Sequence, residues 1–292
     1  MMDPNTGEVL VMSAKKIDKT TGEVSDISSF NYLGQVEIGS TSKAGTLYTA
    51  FKENIIVPNT YFVDEPIKIK GSKEKKSYKN MGNINEVDAL AWSSNVYMFR
   101  IAMKLADVNY VPNASLNVDF NKFVKTLTII RRDFGELGLG VKTGLDVPNE
   151  GDGYKGQRSE AGLLLDACIG QYDTYTPIQL SQYISTIANN GSRLKPYLLK
   201  GVYSSSDSNL NKAMFENKSK ELNHVNTKQE YLDRVKEGFK QVLEYGGTGS
   251  GYIDLSHKPA GKTGTSQSFI DSDGDGKVDK ETVTTTFVAY AP

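Results

Sequence analysis

The sequence predicts an α+β fold in which helices cover an antiparallel sheet. Three observations carry that expectation. Apolar residues recur at helical spacing in separate blocks through the middle of the chain. Two β-prone stretches, Pro259 to Phe269 and Val283 to Tyr290, flank an acidic turn near the end, as a hairpin would. The order is strand, then helices, then strands, with no internal repeat and no long linker, which is the α+β pattern.

The elements follow in chain order. Met2-Asp3-Pro4-Asn5-Thr6-Gly7-Glu8 reads as a hairpin turn, and Val9 to Ser13 as the strand after it. Almost nothing remains of a strand before that turn, so the chain is expected to start inside a domain. Asp18 to Asn31 is polar and Ser/Thr-rich, hence loop. A helix begins at Ser40 and ends near Asn54, with Ala44, Leu47, Ala50 and Phe51 as its apolar stripe. Strand-like pieces occur within Ile55 to Lys70, notably Thr60-Tyr61-Phe62-Val63, and Gly71 to Asn85 is a charged loop. Glu86 to Trp92 and Val96 to Leu105 read as helices joined by Ser93-Ser94-Asn95. Asp119 to Phe134 is a further helix with Phe120, Phe123, Leu127 and Ile130 on one face, and Gly135 to Gly156 is a glycine-rich loop. Thr176-Pro177 starts a helix, with threonine at the cap and proline in the first turn, and Gly191 stops it. Leu198 to Tyr203 is a strand. Thr227 and Glu230 have capping-box spacing ahead of the stripe Tyr231, Val235, Phe239 and Val242.

Bulk composition excludes several functions. At 292 residues the chain can bury a large core. A net charge of −1 offers no basic field for nucleic acid, so no nucleic-acid partner is expected. The single cysteine, Cys168, lies in the apolar run Leu163-Leu164-Leu165-Asp166-Ala167-Cys168-Ile169 and reads as a buried small residue. No apolar run approaches a membrane span. His224 and His257 stand isolated in polar stretches and read as surface residues.

Chemistry concentrates in three short motifs. Ser40-x-x-Lys43 places a hydroxyl and an amine one helical turn apart, on one face. A serine is a weak nucleophile until a base takes its proton, and a lysine can be that base only when burial or a nearby cation lowers its pKa. Taken alone, a serine cap with a surface lysine is the commoner meaning of this pattern. Ser13 to Lys16 and Ser72 to Lys75 match it too, but neither opens an amphipathic helix after a glycine. Ser93-x-Asn95 bridges two apolar helices, whereas Ser29-Phe30-Asn31 and Ser115-Leu116-Asn117 match without that context. Lys262-Thr263-Gly264 lies in Ala260-Gly261-Lys262-Thr263-Gly264-Thr265-Ser266, a strand of small residues whose edge could accept a substrate backbone. Lys142-Thr143-Gly144 repeats the triplet in a glycine loop, with no such strand.

The three motifs in this order resemble the S-x-x-K, S-x-N and K-T-G set of penicillin-binding proteins and class A β-lactamases. Ser-Ser-Asn in the middle position, in place of Ser-Asp-Asn, fits the former. Further segments resemble the transpeptidase domain of class B penicillin-binding proteins, of the elongation type found in Gram-positive cocci. Met2 to Leu10 is similar to the family's opening hairpin. Ile38-Gly39-Ser40-Thr41-Ser42-Lys43 is similar to its P-G-S-x-x-K, with Ile38 in place of proline. Ser93 to Met98 matches the second motif and its flank. Gly138-Leu139-Gly140 with Thr143-Gly144-Leu145-Asp146-Val147-Pro148 matches a family loop, which accounts for the second K-T-G. Ile169-Gly170-Gln171, Thr176-Pro177-Ile178-Gln179-Leu180 and Ala188-Asn189-Asn190-Gly191 are similar to its signature helix. The resemblance implies one domain over 1–292, with a sheet part of about 1–39 and 196–292 and an all-helical part of about 40–195. It also implies a chain truncated at both ends, since the family normally continues with a last strand and a C-terminal helix.

The resemblance further implies a peptidoglycan D,D-transpeptidase that needs no cofactor. Ser40 would attack the penultimate D-alanine carbonyl of a stem peptide, with Lys43 as base and Ser93 as proton relay. Asn95 would orient Lys43 and the substrate amide. Lys262, with Thr263 or Thr265 on the substrate strand that includes Gly264, would hold the terminal carboxylate. Backbone N–H groups of Ser40 and Thr265 would form the oxyanion hole. Implied partners are peptidoglycan stem peptides, β-lactam antibiotics and the cell-wall elongation machinery, at the extracytoplasmic face of the membrane. Two alternatives use the same scaffold: a β-lactamase or D,D-carboxypeptidase, and a β-lactam sensor that acylates without cross-linking. The acidic turn adds a separate candidate. Asp271, Asp273, Asp275 and Asp279 fall at positions 1, 3, 5 and 9 of a calcium-loop pattern with Gly276 at position 6, but Thr282 stands where a bidentate glutamate belongs. A solvated hairpin tip is the plainer reading, and calcium the alternative.

Overall fold

A computed structural model describes residues 1–69, 73–112, 114, 116, 118–205, 210, 212–270 and 280–292. The elements run β1 (Lys15–Ile17), β2 (Val24–Asp26), α1 (Phe30–Leu33), a 3₁₀ turn (Gly39–Ser42), α2 (Lys43–Lys52), β3 (Phe62–Asp64), β4 (Gly82–Ile84), α3 (Glu86–Ala91) and α4 (Asn95–Leu105). There follow α5 (Phe120–Glu136), α6 (Ala161–Ala167), α7 (Pro177–Ala188), β5 (Ser192–Leu194), β6 (Gly201–Tyr203), β7 (Ala213–Glu216), β8 (Glu221–His224), α8 (Gln229–Leu243), β9 (Ala260–Ile270) and β10 (Lys280–Tyr290). The architecture is α+β, as expected. Among the described residues the named strands pair antiparallel, as two-stranded pairs: β1–β2, β3–β4, β5–β8, β6–β7 and the long β9–β10 hairpin.

Helix α2 is the hub. Every residue from Lys43 to Phe51 is buried, so the apolar stripe is only part of what packs. It contacts α3, α4, α5 and α8. Helix α8 lies against both α3 and β9, and α7 against β10, so the hairpin docks onto the helical body. From Lys262 to Gln267 along β9, Lys262, Gly264 and Ser266 are buried while Thr263 is half-buried and Thr265 and Gln267 are exposed, the period-2 alternation of a half-buried strand. Cys168 is fully buried, and burial pushes its thiol up to about 12.

Several boundaries differ from the sequence expectation. Val9 to Ser13 forms no strand. Val9 makes one isolated bridge, to Met2, Leu10 and Val11 turn their N–H groups to Met1 O, and the side chains of Leu10 and Val11 are exposed. The stretch expected as loop from Asp18 to Asn31 contains β2 and opens α1, and the loop before Asn85 contains β4. Helix α6 has no counterpart in the sequence expectation, because its seven residues carry too little periodicity. Phe120 is exposed: it is the first residue of α5, next to the Asp119 cap, while Phe123, Leu127 and Ile130 one and more turns on are buried. The strand expected from Leu198 shortens to β6. The Thr227 capping box does not form. A turn draws the Thr227 N–H to Val225 O, α8 starts one residue late, and Lys228 takes the cap position. At Thr176 the expected cap is present as a full capping box with Gln179, and Pro177 stands in the first turn.

Candidate active site

Ser40 sits in the 3₁₀ turn that runs straight into α2, and it caps nothing: the cap positions belong to Ile38 and Ser42. The turn is stitched to its surroundings. Ile38 O accepts from the hydroxyls of Thr41 at 2.7 Å and Thr286 at 2.8 Å, Glu37 O accepts from Ser266 Oγ at 2.8 Å, and Gly39 N donates to Gly170 O at 3.0 Å. Gly39 has φ +51°, and a Cβ there would lie 2.3 Å from Thr265 O. Only glycine lets β9 approach the serine this closely.

Lys43 is fully buried, and its Nζ reaches Ser93 O at 2.7 Å, Ser93 Oγ at 3.1 Å and Asn95 Oδ1 at 2.7 Å. Burial holds its pKa well below the usual lysine range. The Lys262 charge lowers it further, and Asp64 opposes the shift. As an ammonium Lys43 donates to all three atoms. As a neutral amine it has a lone pair, and of the three partners only the Ser93 hydroxyl has a proton to give it. The contact with Ser93 is therefore suited to proton exchange, while those with Ser93 O and Asn95 Oδ1 fix the amine.

The Ser93–Asn95 turn closes α3 and opens α4. Ser93 has φ +58°, a left-handed conformation that a serine adopts at some strain. Ser93 N donates to Leu90 O at 3.2 Å and Ser94 N to Ala89 O at 2.8 Å. Ser94 Oγ caps α4 by accepting from Tyr97 N at 2.9 Å. Asn95 Nδ2 donates to Lys76 O at 3.2 Å, which turns its Oδ1 toward Lys43.

On β9, Lys262 is fully buried, donates to Thr263 O at 2.9 Å, and is pushed by burial down to about 7. Thr263 and Thr248 share a hydroxyl hydrogen bond of 3.0 Å. A groove of about 470 Å³ is lined by Ser40, Tyr78, Ser93, Asn95, Thr248, Thr263, Gly264 and Thr265. Six of the eight residues singled out from the three motifs thus line one groove, and the two lysines lie behind its wall. Lys262 does not line it. Tyr78 and Thr248 carry no sequence signal. A larger depression of about 630 Å³, with Lys52, Glu53, Arg132 and Glu136 on its walls, holds none of these residues.

The competing matches separate cleanly. Lys142-Thr143-Gly144 is a loop clasped by Glu150, which accepts from Thr143 N at 2.8 Å and Gly144 N at 3.0 Å. Lys16 is exposed, and Lys75 is half-buried in a 2.6 Å ion pair with Asp166 instead of being fully solvated. Ser29 makes no side-chain cap bond to α1. Ser72, Ser115 and Asn117 lie outside the described residues, as do Asp271, Asp273, Asp275 and Asp279 of the acidic turn. His224 and His257 are exposed.

Comparison with known proteins places these observations. The penicillin binding protein transpeptidase domain matches residues 1–292. The chain is 43% identical over its whole length to penicillin-binding protein 2A of Bacillus subtilis, of which it covers 41%. It is 32% identical, again over its whole length, to penicillin-binding protein 2B of Streptococcus pneumoniae, covering 43% of it. The solved structure of penicillin-binding protein 2B from Streptococcus pneumoniae strain R6 superposes with a TM-score of 0.90 over 100% of this chain and 47% of that one. The chain thus spans about two fifths of the length of the curated relatives it matches.

Proposed function

The chain belongs to the penicillin-binding protein transpeptidase domain family, and on that premise we propose that its groove performs serine acyl transfer as a peptidoglycan D,D-transpeptidase. The supporting observation is the fully buried Lys43 amine, held by Ser93 and Asn95 and depressed by burial and Lys262, one turn from Ser40. Ser40 Oγ attacks the carbonyl carbon of the penultimate D-alanine while its proton passes to Lys43 Nζ. The peptide C–N bond breaks, and the terminal D-alanine leaves as an amine that takes the proton by way of the Ser93 hydroxyl. The ester on Ser40 is then attacked by an amine of a second stem peptide. A new amide forms, the ester bond breaks, and Ser40 regains its proton. The N–H groups of Ser40 and Thr265 hold the oxyanion, a contribution of about 3 kcal/mol per donor.

The substrate backbone lies along β9, which pairs with β10 on one side only among the described strands. The Thr263 and Thr265 hydroxyls bind its terminal carboxylate, and Lys262 biases the site toward an anion from behind. A β-lactam acylates Ser40 in the same way but keeps its leaving amine tethered, so the ester persists. The acting site is the extracytoplasmic face of the cell membrane, with the elongation machinery as partner. No helix among the described residues is long and apolar enough to cross a membrane. The test is intact-mass spectrometry after incubation with benzylpenicillin. One adduct per chain is expected, absent from a folded Ser40→Ala variant. An adduct that survives in that variant removes the assignment, and rapid turnover of nitrocefin removes the transpeptidase in favour of a hydrolase.

A further inference from the structure

A buried carboxylate stands behind the second motif. Asp64, at the end of β3, is only 3% exposed. Its Oδ2 accepts from Ser77 Oγ at 2.8 Å and from Ser94 Oγ. Those hydroxyls, their protons committed to the carboxylate, turn their lone pairs to the start of α4. Ser77 Oγ accepts from Asn95 N at 3.0 Å and Val96 N at 3.2 Å, and Ser94 Oγ accepts from Tyr97 N at 2.9 Å. The first three N–H groups of α4, which have no partner inside the helix, are thereby satisfied through two hydroxyls that end on one anion. A negative charge is favoured at a helix N-terminus, and a hydroxyl bonded to a carboxylate makes a stronger, more directional bond than one bonded to a neutral group.

We propose that Asp64, acting through the hydroxyls of Ser77 and Ser94, is a positioning residue for the Ser93–Asn95 turn. The first residue of α4 is Asn95, whose Oδ1 holds Lys43 at 2.7 Å, and the residue before the cap is Ser93, held in a left-handed conformation that needs surrounding structure to persist. Fixing the helix start fixes both groups that hold the amine. The inference rests on the acyl-transfer reading above. It goes beyond the three motifs, since neither Asp64 nor Ser77 belongs to any of them.

The charge has a second consequence. Lys43 is faced by Lys262 from β9, an ammonium below about pH 7, by Asp64 from β3, and by the uncharged Ser93 and Asn95 from the turn. Asp64 favours the charged form of Lys43, so it works against Lys262 and burial while it organises the turn. Geometry and charge can therefore be separated by substitution.

Acylation by a fluorescent penicillin is measured from pH 5 to pH 9 for the unaltered chain and for Asp64→Asn, Ser77→Ala and Ser94→Ala, with circular dichroism and thermal melts as folding controls. Ser77→Ala removes the link but keeps the charge. Its second-order rate constant is expected to fall about tenfold or more, as misplacement of a reacting group does, with the acid limb of the profile unmoved. Asp64→Asn removes both. Its rate constant is expected to fall, and its acid limb to move to lower pH, because Lys43 stays neutral further into acid. Should Asp64→Asn fail to fold, Ser77→Ala and Ser94→Ala decide the positioning role on rate alone. Folded variants that acylate at the original rate overturn the proposal, and an Asp64→Asn that slows with its acid limb unmoved overturns the charge effect on Lys43. If the unaltered chain itself forms no adduct, it is the acyl-transfer reading that falls, and this inference falls with it.

Discussion

Two lysines, Lys43 and Lys262, have no exposed surface, and burying a charged amine is costly. For Lys262 the consequence is readable in stability. Its pKa is lowered to about 7 in the folded chain, from an ordinary value of 10.5. Below pH 7 the amine is charged in both states, and burial penalises the folded one. Between about pH 7 and pH 10 the folded state is neutral while the unfolded chain stays protonated. The unfolded state then binds more protons, and stability rises with pH by up to about 1.4 kcal/mol per unit. Lys262→Met should therefore be more stable than the unaltered chain at pH 6 and show a shallower rise to pH 10, read as denaturant midpoints. Part of the remaining slope belongs to Lys43, whose shift has the same sign, with the lowered Met1 amine and Lys236 contributing in the same direction. Equal slopes in the two proteins would mean that Lys262 is solvated when folded. Motif spacing exposes Ser40, Lys43, Ser93, Asn95 and Lys262 because these residue types carry their chemistry in a fixed local pattern. Asp64, Ser77, Tyr78 and Thr248 were not legible. An aspartate at a strand end and a serine in a lysine-rich loop look like surface residues until the chain folds them against α4.

At the level of elements, the two K-T-G triplets show what a pattern cannot say by itself. Both have a glycine in third place, for different reasons. A Cβ on Gly264 would lie 2.3 Å from Thr286 Oγ1, 2.6 Å from Ile38 O and 2.9 Å from Thr41 Cγ2, so β9, β10 and the Ser40 turn all close on that point. Gly144 instead has φ +84° and its nearest atoms belong to the flexible side chain of Lys195 at 3.5 Å. Gly264→Ala should push strand and turn apart, losing about 1–3 kcal/mol of stability and most of the penicillin acylation. Gly144→Ala should cost about 1–2 kcal/mol of backbone strain and leave the acylation rate constant close to the original. Paired melting curves and acylation kinetics test both. Comparable loss of rate in the two variants would show that the loop around Gly144 also shapes the groove. Elements with a strong local signal were legible for the same reason that they are stable. Helix α7 combines a Thr176–Gln179 box, Pro177 and a core face. The Thr227 box failed because a turn at Val225 had first claim on the Thr227 backbone, a competition that spacing does not reveal.

At the scale of the whole molecule, the groove exists because α8 fastens two regions that are far apart in sequence. It packs on α3, which leads into the Ser93–Asn95 turn, and on β9, which carries Lys262 to Thr265. Close approach at the first contact depends on Gly238, where a Cβ would lie 2.8 Å from Leu90 Cδ2. An ion pair locks it: Arg234 Nε meets the fully buried Glu86 carboxylate at 2.6 Å, and Arg234 Nη2 reaches Asn59 Oδ1 at 3.0 Å. Glu86 also accepts from Asn59 N at 3.1 Å, so the pair ties the segment after α2 to α3 and α8 together. Removing one member leaves an uncompensated buried charge, which is worse than removing both. Arg234→Ala should therefore cost about 3–5 kcal/mol and slow acylation, although Arg234 does not line the groove. Adding Glu86→Gln to an Arg234→Met background should recover most of the stability, because no charge is left stranded and the new side-chain amide still offers the Asn59 N–H an acceptor. A loss below about 1 kcal/mol for Arg234→Ala, the range of an exposed pair, would show that α8 is held by its apolar face alone. A recovery of stability without recovery of acylation would point the other way, to a pair whose geometry sets the spacing between the second and third motifs.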